Sequence, residues 1–236
     1  MTDSTCTFLN SASEDCPESS PPAAEFLTVL VGEEGIPFSI DKEILRSTTC
    51  PVGLDTTQDT CRVMDLRPKV FGLFHAWLHE QLDVSLSGCP KDWIELHLYA
   101  ATNGIIRLQD DSMDMVQDLF LQEGSLAVPR ELVELVFAQG ESKVPTLREW
   151  CVAMAIRALK EDQCSAKDLA SLLQHHSFAQ EFSKYLYHVA SNPLGIYLFE
   201  DPRKRIARDY DKQYLRLPLG FPGCYFHSHG QERCPI

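Results

Sequence analysis

The residues best suited to chemistry lie near the carboxyl terminus, in the pattern C-x2-H-x-H-x4-C. They are Cys224, His227, His229 and Cys234. Two thiolates and two imidazoles are suitable donors for tetrahedral zinc, and four protein ligands would give the metal a structural rather than a catalytic role. The spacing differs from that of standard zinc fingers, so a polar tail without metal is the alternative. The pattern therefore predicts either a structural zinc site or a polar tail.

The same segment brings a cysteine and a histidine close together in sequence, Cys224 and His227, as in a thiolate nucleophile with its base. Such an enzyme also needs an orienting third group and an oxyanion hole, and the flanking residues supply neither. The chain also lacks a phosphate-binding glycine loop, an H-E-x-x-H motif and a G-x-S-x-G motif. We therefore predict that the protein is not an enzyme and has no cofactor besides the candidate zinc.

Two further groups of charged residues have a simpler interpretation than a binding site. Asp110, Asp111, Asp114 and Asp118 share one face of a predicted helix. Their position near the helix start favours a solvated acidic face over a site for a hard cation. For the basic run over residues 203–208, pairing with the acidic body or a simple charged loop is favoured over nuclear import or phosphate contact. Neither group is expected to bind a ligand.

The net charge of the chain is −13, and it is distributed unevenly. Residues 1–41 contain eight acidic residues and no Lys or Arg, whereas residues 201–236 contain seven basic and four acidic residues. The negative excess disfavours nucleic acid as a partner. The start lacks the positive charge of a secretion signal, and no apolar run approaches the roughly 18 residues that span a membrane. We expect an intracellular protein, cytoplasmic and/or nuclear, without membrane contact, whose cysteines remain thiols.

Composition and periodicity divide the chain into four segments. Residues 1–24 are rich in Ser, Thr, Asp, Glu and Pro, which predicts a disordered acidic leader. Residues 25–123 combine β-prone runs with helical stripes, and residues 125–199 predict a helical extension. Residues 200–236 form the basic tail that carries the Cys/His pattern. The predicted fold class is α+β.

The pattern predicts a short sheet followed by helices. Apolar runs around Gly32-Glu33-Glu34-Gly35 predict a hairpin with strands at 27–31 and 36–40, and a third strand is expected at 61–66. Capping boxes are predicted at Thr146–Glu149 and Ser165–Asp168. The other predicted helices are 42–46 capped by Asp41, one starting at Pro68, one from Pro90 to Asn103, one over 108–123, and two starting at Pro129 and Ser177.

This order of elements resembles a BTB/POZ domain, and more narrowly the large set of fungal BTB-domain proteins. The resemblance covers roughly residues 25–123 and rests on FLTVLVGEEGIPFSIDKEIL, CRVMDL, PKVFGLFHAWLHEQLD and DWIELHLYAATNGIIRLQDDSMDMV. It implies a BTB/POZ-like fold, a short β-sheet capped by a cluster of helices. It also implies a non-enzymatic module that acts by self- or hetero-association, with a homodimer as one form. The surface that it implies for association includes Phe26, Leu27, Ile44, Leu45 and Phe71.

Two other functions are alternatives within this resemblance. Family members that recruit cullin-3 to a ubiquitin ligase carry an apolar residue two positions before a Glu. The matching segment here, Leu54-Asp55-Thr56, lacks that Glu, which counts against a cullin-3 adaptor. The aromatic pair that usually follows the first helix is also absent from residues 47–52. The other alternative is a zinc-stabilised regulatory protein built on the tail.

Elemental analysis of the purified full-length chain separates the zinc site from the polar tail. A structural site predicts about one zinc per chain, because four protein ligands bind the ion without an open position. A preparation that contains no zinc would remove the metal-stabilised alternative.

Overall fold

The computed structural model describes residues 25–47, 54–80, 88–140, 143–191, 201–206, 221–222 and 226–228. The strands are β1 (Phe26–Val31), β2 (Ile36–Asp41), β3 (Thr60–Val63), β4 (Arg205–Ile206) and β5 (Phe221–Pro222). The helices are α1 (Lys42–Ser47), α2 (Pro68–Leu78), α3 (Pro90–Asn103), α4 (Ile106–Gln122), α5 (Arg130–Phe137), α6 (Pro145–Lys160), α7 (Ala166–Leu173) and α8 (His176–Ser191). None of the helices in these ranges has the length and apolar character that crossing a membrane requires.

β1 is the central strand of a three-stranded sheet with the order β2-β1-β3. It pairs antiparallel with β2, where Val29 is opposite Phe38, and parallel with β3, where Val29 is opposite Cys61. Side chains alternate between the two faces of a strand, and Leu27, Val29 and Val31 are fully buried. The predicted hairpin, third strand and α+β class are therefore confirmed, and one face of β1 starts the core.

Two glycines shape the turn between β1 and β2. Gly32 has a φ of +72° and Gly35 a φ of +64°, a region that favours glycine. The backbone N–H of Gly32 donates to the carbonyl of Val63 at 2.8 Å and closes the ladder between β1 and β3. Because β1 ends at this turn, β3 stops at Val63 and does not reach the predicted end at Leu66.

α2 packs against β2 and bonds to one backbone group at its outer edge. The Nε2 of His75 donates to the carbonyl of Ser39 at 2.9 Å, and the ring of Phe38 packs against that of Phe71 with centroids 4.9 Å apart. Pro37, on the same edge, has no backbone N–H to donate. These contacts hold the hairpin against the helix and satisfy one of the edge carbonyls.

The aromatic side chains of α2 and α3 belong to the core. Phe71, Phe74, Trp77 and Trp93 are all buried. The indole Nε1 of Trp77 donates to a carboxylate oxygen of Asp111 at 2.8 Å, so the polar end of this ring also joins α2 to α4. This bond matters for stability because leaving a buried indole N–H without a partner is costly.

A buried carboxylate joins the beginnings of α2 and α3. Asp92 is 1% exposed, and its oxygens lie 2.7 Å from nitrogens of both Arg67 and Lys69. Burial raises the pKa of Asp92, but hydrogen bonds from Lys69, Cys89 and Arg67 outweigh it and lower the pKa to about 2. The ionised carboxylate also accepts from the backbone N–H of Cys89 at 3.2 Å, at the start of α3.

The two predicted capping boxes have different outcomes. The box at Ser165 and Asp168 is confirmed: Ser165 caps α7, and its Oγ accepts from the backbone N–H of Asp168 at 3.2 Å. The box at Thr146 is wrong, because α6 already begins at Pro145 and Val144 makes no side-chain cap bond. Proline suits the first helical position, since its fixed φ is helical and that position needs no N–H. Thr146 therefore lies inside the first turn.

Other helix boundaries differ from the predicted ones by one or two residues. α4 begins at Ile106 instead of Leu108, and α8 begins at His176 instead of Ser177. α3 ends at Asn103 as predicted, where Gly104 adopts the left-handed conformation with a φ of +69°.

The buried apolar side chains form one continuous cluster that extends from β1 to α8. α3 contacts both α4 and α5, and α6 contacts both α5 and α8. Phe120 of α4 packs edge-on against Trp150 of α6, with ring centroids 5.2 Å apart. The helices after residue 125 therefore share a core with the sheet and with α2 to α4.

Removing the Ser165 cap is expected to destabilise the protein. Ser165→Ala leaves the first turn of α7 without its side-chain acceptor, and we expect the free energy of unfolding in urea to fall by about 1 kcal/mol. Thr146→Ala is the matched control and should leave it nearly unchanged, because Thr146 caps nothing. Equal losses in the two variants would contradict the assignment of α6 and α7.

Candidate functional site

The structure describes one of the four predicted zinc ligands. His227 lies beside α4, with its Nε2 2.8 Å from Oδ1 of Asp114. Cys224, His229 and Cys234 fall outside the described residues. A metal at His227 would bind through Nδ1, and the carboxylate would orient the ring as second-shell carboxylates do. Within the described ranges, no three His, Cys, Asp or Glu side chains are grouped to hold a metal. The four-ligand site therefore stays a prediction.

Two short segments near the carboxyl terminus cover the polar face of α4. We call this contact the α4 dock. It consists of Gln109, Asp110, Asp114 and Gln117 of α4 together with residues 201–203 and 226–228. Phe226 is 2% exposed and Asp110 is 8% exposed. The prediction of a solvated acidic face is therefore wrong for Asp110, because residues 226–228 cover its carboxylate.

The contact with residues 226–228 is polar and short. The backbone N–H of Ser228 donates to Oδ1 of Asp110 at 2.6 Å, and its hydroxyl donates to Oε1 of Gln109 at 2.7 Å. Together with the pair between His227 and Asp114, these bonds give three consecutive attachments along one turn of α4. Hydrogen bonds with an ionised partner are stronger than neutral ones, which favours a fixed position for this segment.

The contact with residues 201–203 is centred on one carbonyl. The oxygen of Pro202 accepts from Nε2 of Gln117 at 2.6 Å and from Nε1 of Trp150 at 3.1 Å. Arg203 forms a fork with both carboxylate oxygens of Asp201, each at 2.9 Å, and Nη1 donates to the carbonyl of Ser125 at 3.0 Å. The first residue of the basic run therefore pairs with a carboxylate of its own segment and bonds to the body through the Ser125 carbonyl, so pairing of the run with acidic residues of the body stays a prediction.

A buried histidine lies beneath the α4 dock. His97 of α3 is 1% exposed, and its Nδ1 donates to the carbonyl of Gln109 at 2.9 Å. Burial is the largest influence and lowers the pKa of His97 to about 4, with a smaller lowering from His227 and opposing contributions from Gln109 and Asp110. His97 is therefore neutral at pH 7.

The pair formed by Ser112 and His97 does not fit a nucleophile with its base. The hydroxyl of Ser112 is 3.2 Å from Nδ1 of His97, but that nitrogen carries the proton it donates to the carbonyl of Gln109. The hydroxyl donates to the same carbonyl at 2.9 Å. Both side chains are buried, so a substrate has no access to them.

The predicted association surface is corrected for three of its five residues. Leu27, Leu45 and Phe71 are fully buried in the core, because they occupy the inward positions of their elements. Phe26 is 54% exposed, and Ile44 is partly buried. Phe26 is opposite Asp41 in the sheet, and α1, which carries Ile44, begins directly after Asp41. Phe26 and Ile44 therefore lie at the same end of β1.

The α4 dock was not predicted from the sequence. Asp110, Asp114 and Gln117 form a polar stripe at i, i+4 and i+7, which has the same pattern as a solvated face. The partners of this stripe lie more than 80 residues further along the chain, so no local signal indicates them.

Comparison with known proteins gave no relatives for this chain: no family model, no curated protein and no solved structure matches it.

The burial of His97 predicts a pH dependence of stability. The unfolded chain protonates this imidazole below pH 6.5 and the folded chain only near pH 4, so the free energy of unfolding falls as pH drops between these values. The loss from this group is about 3 kcal/mol at most. Urea unfolding of His97→Asn at several pH values should show a shallower decline than the unsubstituted chain.

Exposed His176 provides the control for this experiment. His176→Asn should follow the pH profile of the unsubstituted chain, because its side chain lies at the surface. Parallel profiles for the unsubstituted chain and His97→Asn would contradict the neutral buried state of His97.

Proposed function

We propose that this chain is a non-enzymatic protein-interaction module of the BTB/POZ type, which acts by self- or hetero-association. The order of elements supports this proposal. The hairpin β1–β2, the short helix α1, the third strand β3 and the helices α2 to α4 follow one another as the sequence resemblance implies. The sheet order β2-β1-β3 places β1 at the centre, and α1 follows β2 directly and contacts it.

The observation that carries the proposal is the exposure of Phe26. This ring is 54% exposed at the start of β1, beside the fully buried Leu27. Large aromatic side chains are enriched at protein interfaces because they bury much area with little loss of side-chain entropy. Covering the exposed half of this ring would contribute on the order of 2 kcal/mol for each protomer. Ile44 extends the same surface with its accessible part.

The cullin-adaptor alternative receives no support from the corresponding segment. Leu54, the apolar residue of that segment, is only 4% exposed and belongs to the core. The carboxylate of Asp55 accepts from the backbone N–H and the hydroxyl of Thr57 at 2.9 and 2.6 Å, so it closes a local turn. Neither side chain presents the contact that the family uses for cullin-3.

Replacing Phe26 tests the association surface. In light scattering of the full-length chain, we expect Phe26→Ser to weaken self-association roughly 10- to 100-fold, because the apolar contact is lost. Tyr187→Ser is the matched control: this ring is 71% exposed on α8 and should leave association unchanged.

Salt provides an independent check of the same association. Two chains that each carry −13 repel one another, so we expect association to strengthen between low and physiological ionic strength. Circular dichroism should show that Phe26→Ser remains folded. A chain that stays monomeric at all concentrations, or a Phe26→Ser variant that associates as tightly as the unsubstituted chain, would contradict self-association through this surface.

A further inference from the structure

A cavity of about 350 Å³ lies between α6 and α8, distant in sequence from the proposed association surface. Its lining residues come mainly from these two helices: Arg148, Glu149 and Val152 of α6, and Glu181, Lys184, Tyr185 and His188 of α8. We call it the Arg148 cavity. Its volume is at the lower end of the range for ligand pockets, roughly 300 to 1,000 Å³, so it suits a compact molecule or one residue of a chain.

Arg148 is the unusual member of this cavity. Its side chain is 4% exposed, and its guanidinium carbon lies 4.5 Å from the centroid of the Phe137 ring. Its Nε is fully buried without a hydrogen-bond partner, and in the described part of the chain no carboxylate or carbonyl pairs with this side chain. The aromatic face compensates the charge only partly, because a cation–π contact is weaker than a paired and hydrogen-bonded charge.

The other buried charges in the described part of the chain have partners. Five charged side chains are buried there, and four of them make ion pairs or charged hydrogen bonds, at Lys42, Asp92, Asp110 and Asp201. Arg148 is the fifth. A buried charge without a counterion is strongly unfavourable, so this arrangement is typical of a group whose partner arrives from outside the chain.

The chemistry of the cavity selects a carboxylate over a more highly charged anion. A guanidinium presents its N–H donors in a planar fork that matches a carboxylate. Lys184 is 3.0 Å from Glu181, so that cation already has a counterion at the rim. Glu149 also borders the cavity and would repel a doubly charged phosphate. One negative charge balances Arg148.

The walls of the cavity select the rest of the ligand. Val152 borders the cavity but is fully buried, and Tyr185 is 9% exposed with most of its ring buried. Burial, together with the nearby carboxylate of Glu149, raises the pKa of Tyr185, so its hydroxyl keeps its proton. The cavity therefore combines the cation of Arg148 with the ion pair of Lys184 and Glu181, the carboxylate of Glu149 and the neutral surface of Tyr185.

We infer that the Arg148 cavity binds a single carboxylate attached to a compact apolar body. Arg148 donates two parallel hydrogen bonds to the carboxylate, and the apolar body packs against the ring of Tyr185. A free monocarboxylic acid and the carboxyl-terminal residue of a peptide both present this chemistry.

Phenylacetate is a suitable probe for the free acid, and calorimetric titration of the full-length chain measures its binding. We expect saturable binding of phenylacetate and none of 2-phenylethanol, which has the same apolar body without the charge. A tetrapeptide ending in phenylalanine, compared with its carboxyl-terminal amide, tests the second source. Binding of the free-acid peptide at least about tenfold tighter than phenylacetate would identify a peptide terminus as the ligand, and the reverse order a free acid.

Substitution of Arg148 tests which group holds the carboxylate. Arg148→Met should weaken binding by more than about tenfold without lowering the urea midpoint of unfolding, because it removes an uncompensated buried charge. Arg148→Lys keeps the charge but loses the fork, so binding should again weaken, and this variant serves if the Met variant does not fold. Arg157→Met is the control, since Arg157 pairs with Glu161 at 2.8 Å on the same helix and does not line the cavity.

Two results would overturn the inference. One is the absence of binding by both phenylacetate and the free-acid peptide at millimolar concentration. The other is binding that persists unchanged in Arg148→Met and Arg148→Lys. Neither result bears on association through Phe26, which light scattering measures separately.

Discussion

The position of β1 between two partner strands is the constraint on which the other elements depend. Its odd-numbered residues bond to β2 and its even-numbered residues to β3, so the backbone of this strand is used on both sides. Its inward side chains are fully buried and begin the core that reaches α8. A shift of one residue in this register would exchange the two faces and place the core residues in water. The same register is what leaves Phe26 exposed.

Two buried charged side chains, Asp92 and Arg148, differ in whether they form ion pairs within the chain. Asp92 lies between Arg67 and Lys69 and closes the start of α3, so its charge helps to fix two helices. Arg148 lies at a similar depth but faces an aromatic ring and a cavity. Pairing within the chain gives Asp92 a purely architectural role. Because Arg148 has no such pairing, its guanidinium can donate hydrogen bonds to a ligand in the cavity.

The elements that could be predicted from the sequence are those with local signals. The hairpin around Gly32 and Gly35, the helix starts at Pro68 and Pro90 and the cap at Ser165 depend on residues only a few positions apart. The errors occurred where two local signals compete or where the partner is distant. At α6 the proline at position 145 precedes the Thr146 motif and sets the helix start. The burial of Asp110 and the lack of a counterion for Arg148 depend on tertiary contacts. Residues close in sequence do not indicate these contacts.

The outer edge of β2 has few free backbone groups, which affects how this sheet can be extended. In an antiparallel strand the N–H and C=O of one residue point to the same side, so Pro37 and Ser39 face away from β1. Pro37 has no backbone N–H to donate there, and the carbonyl of Ser39 already accepts a hydrogen bond from His75. This edge is thereby protected against edge-to-edge aggregation with other chains. A strand added to the sheet would instead lie beside β3, where Thr60 and Arg62 direct their backbone groups away from β1. A further strand is therefore expected to add beside β3 more readily than beside β2.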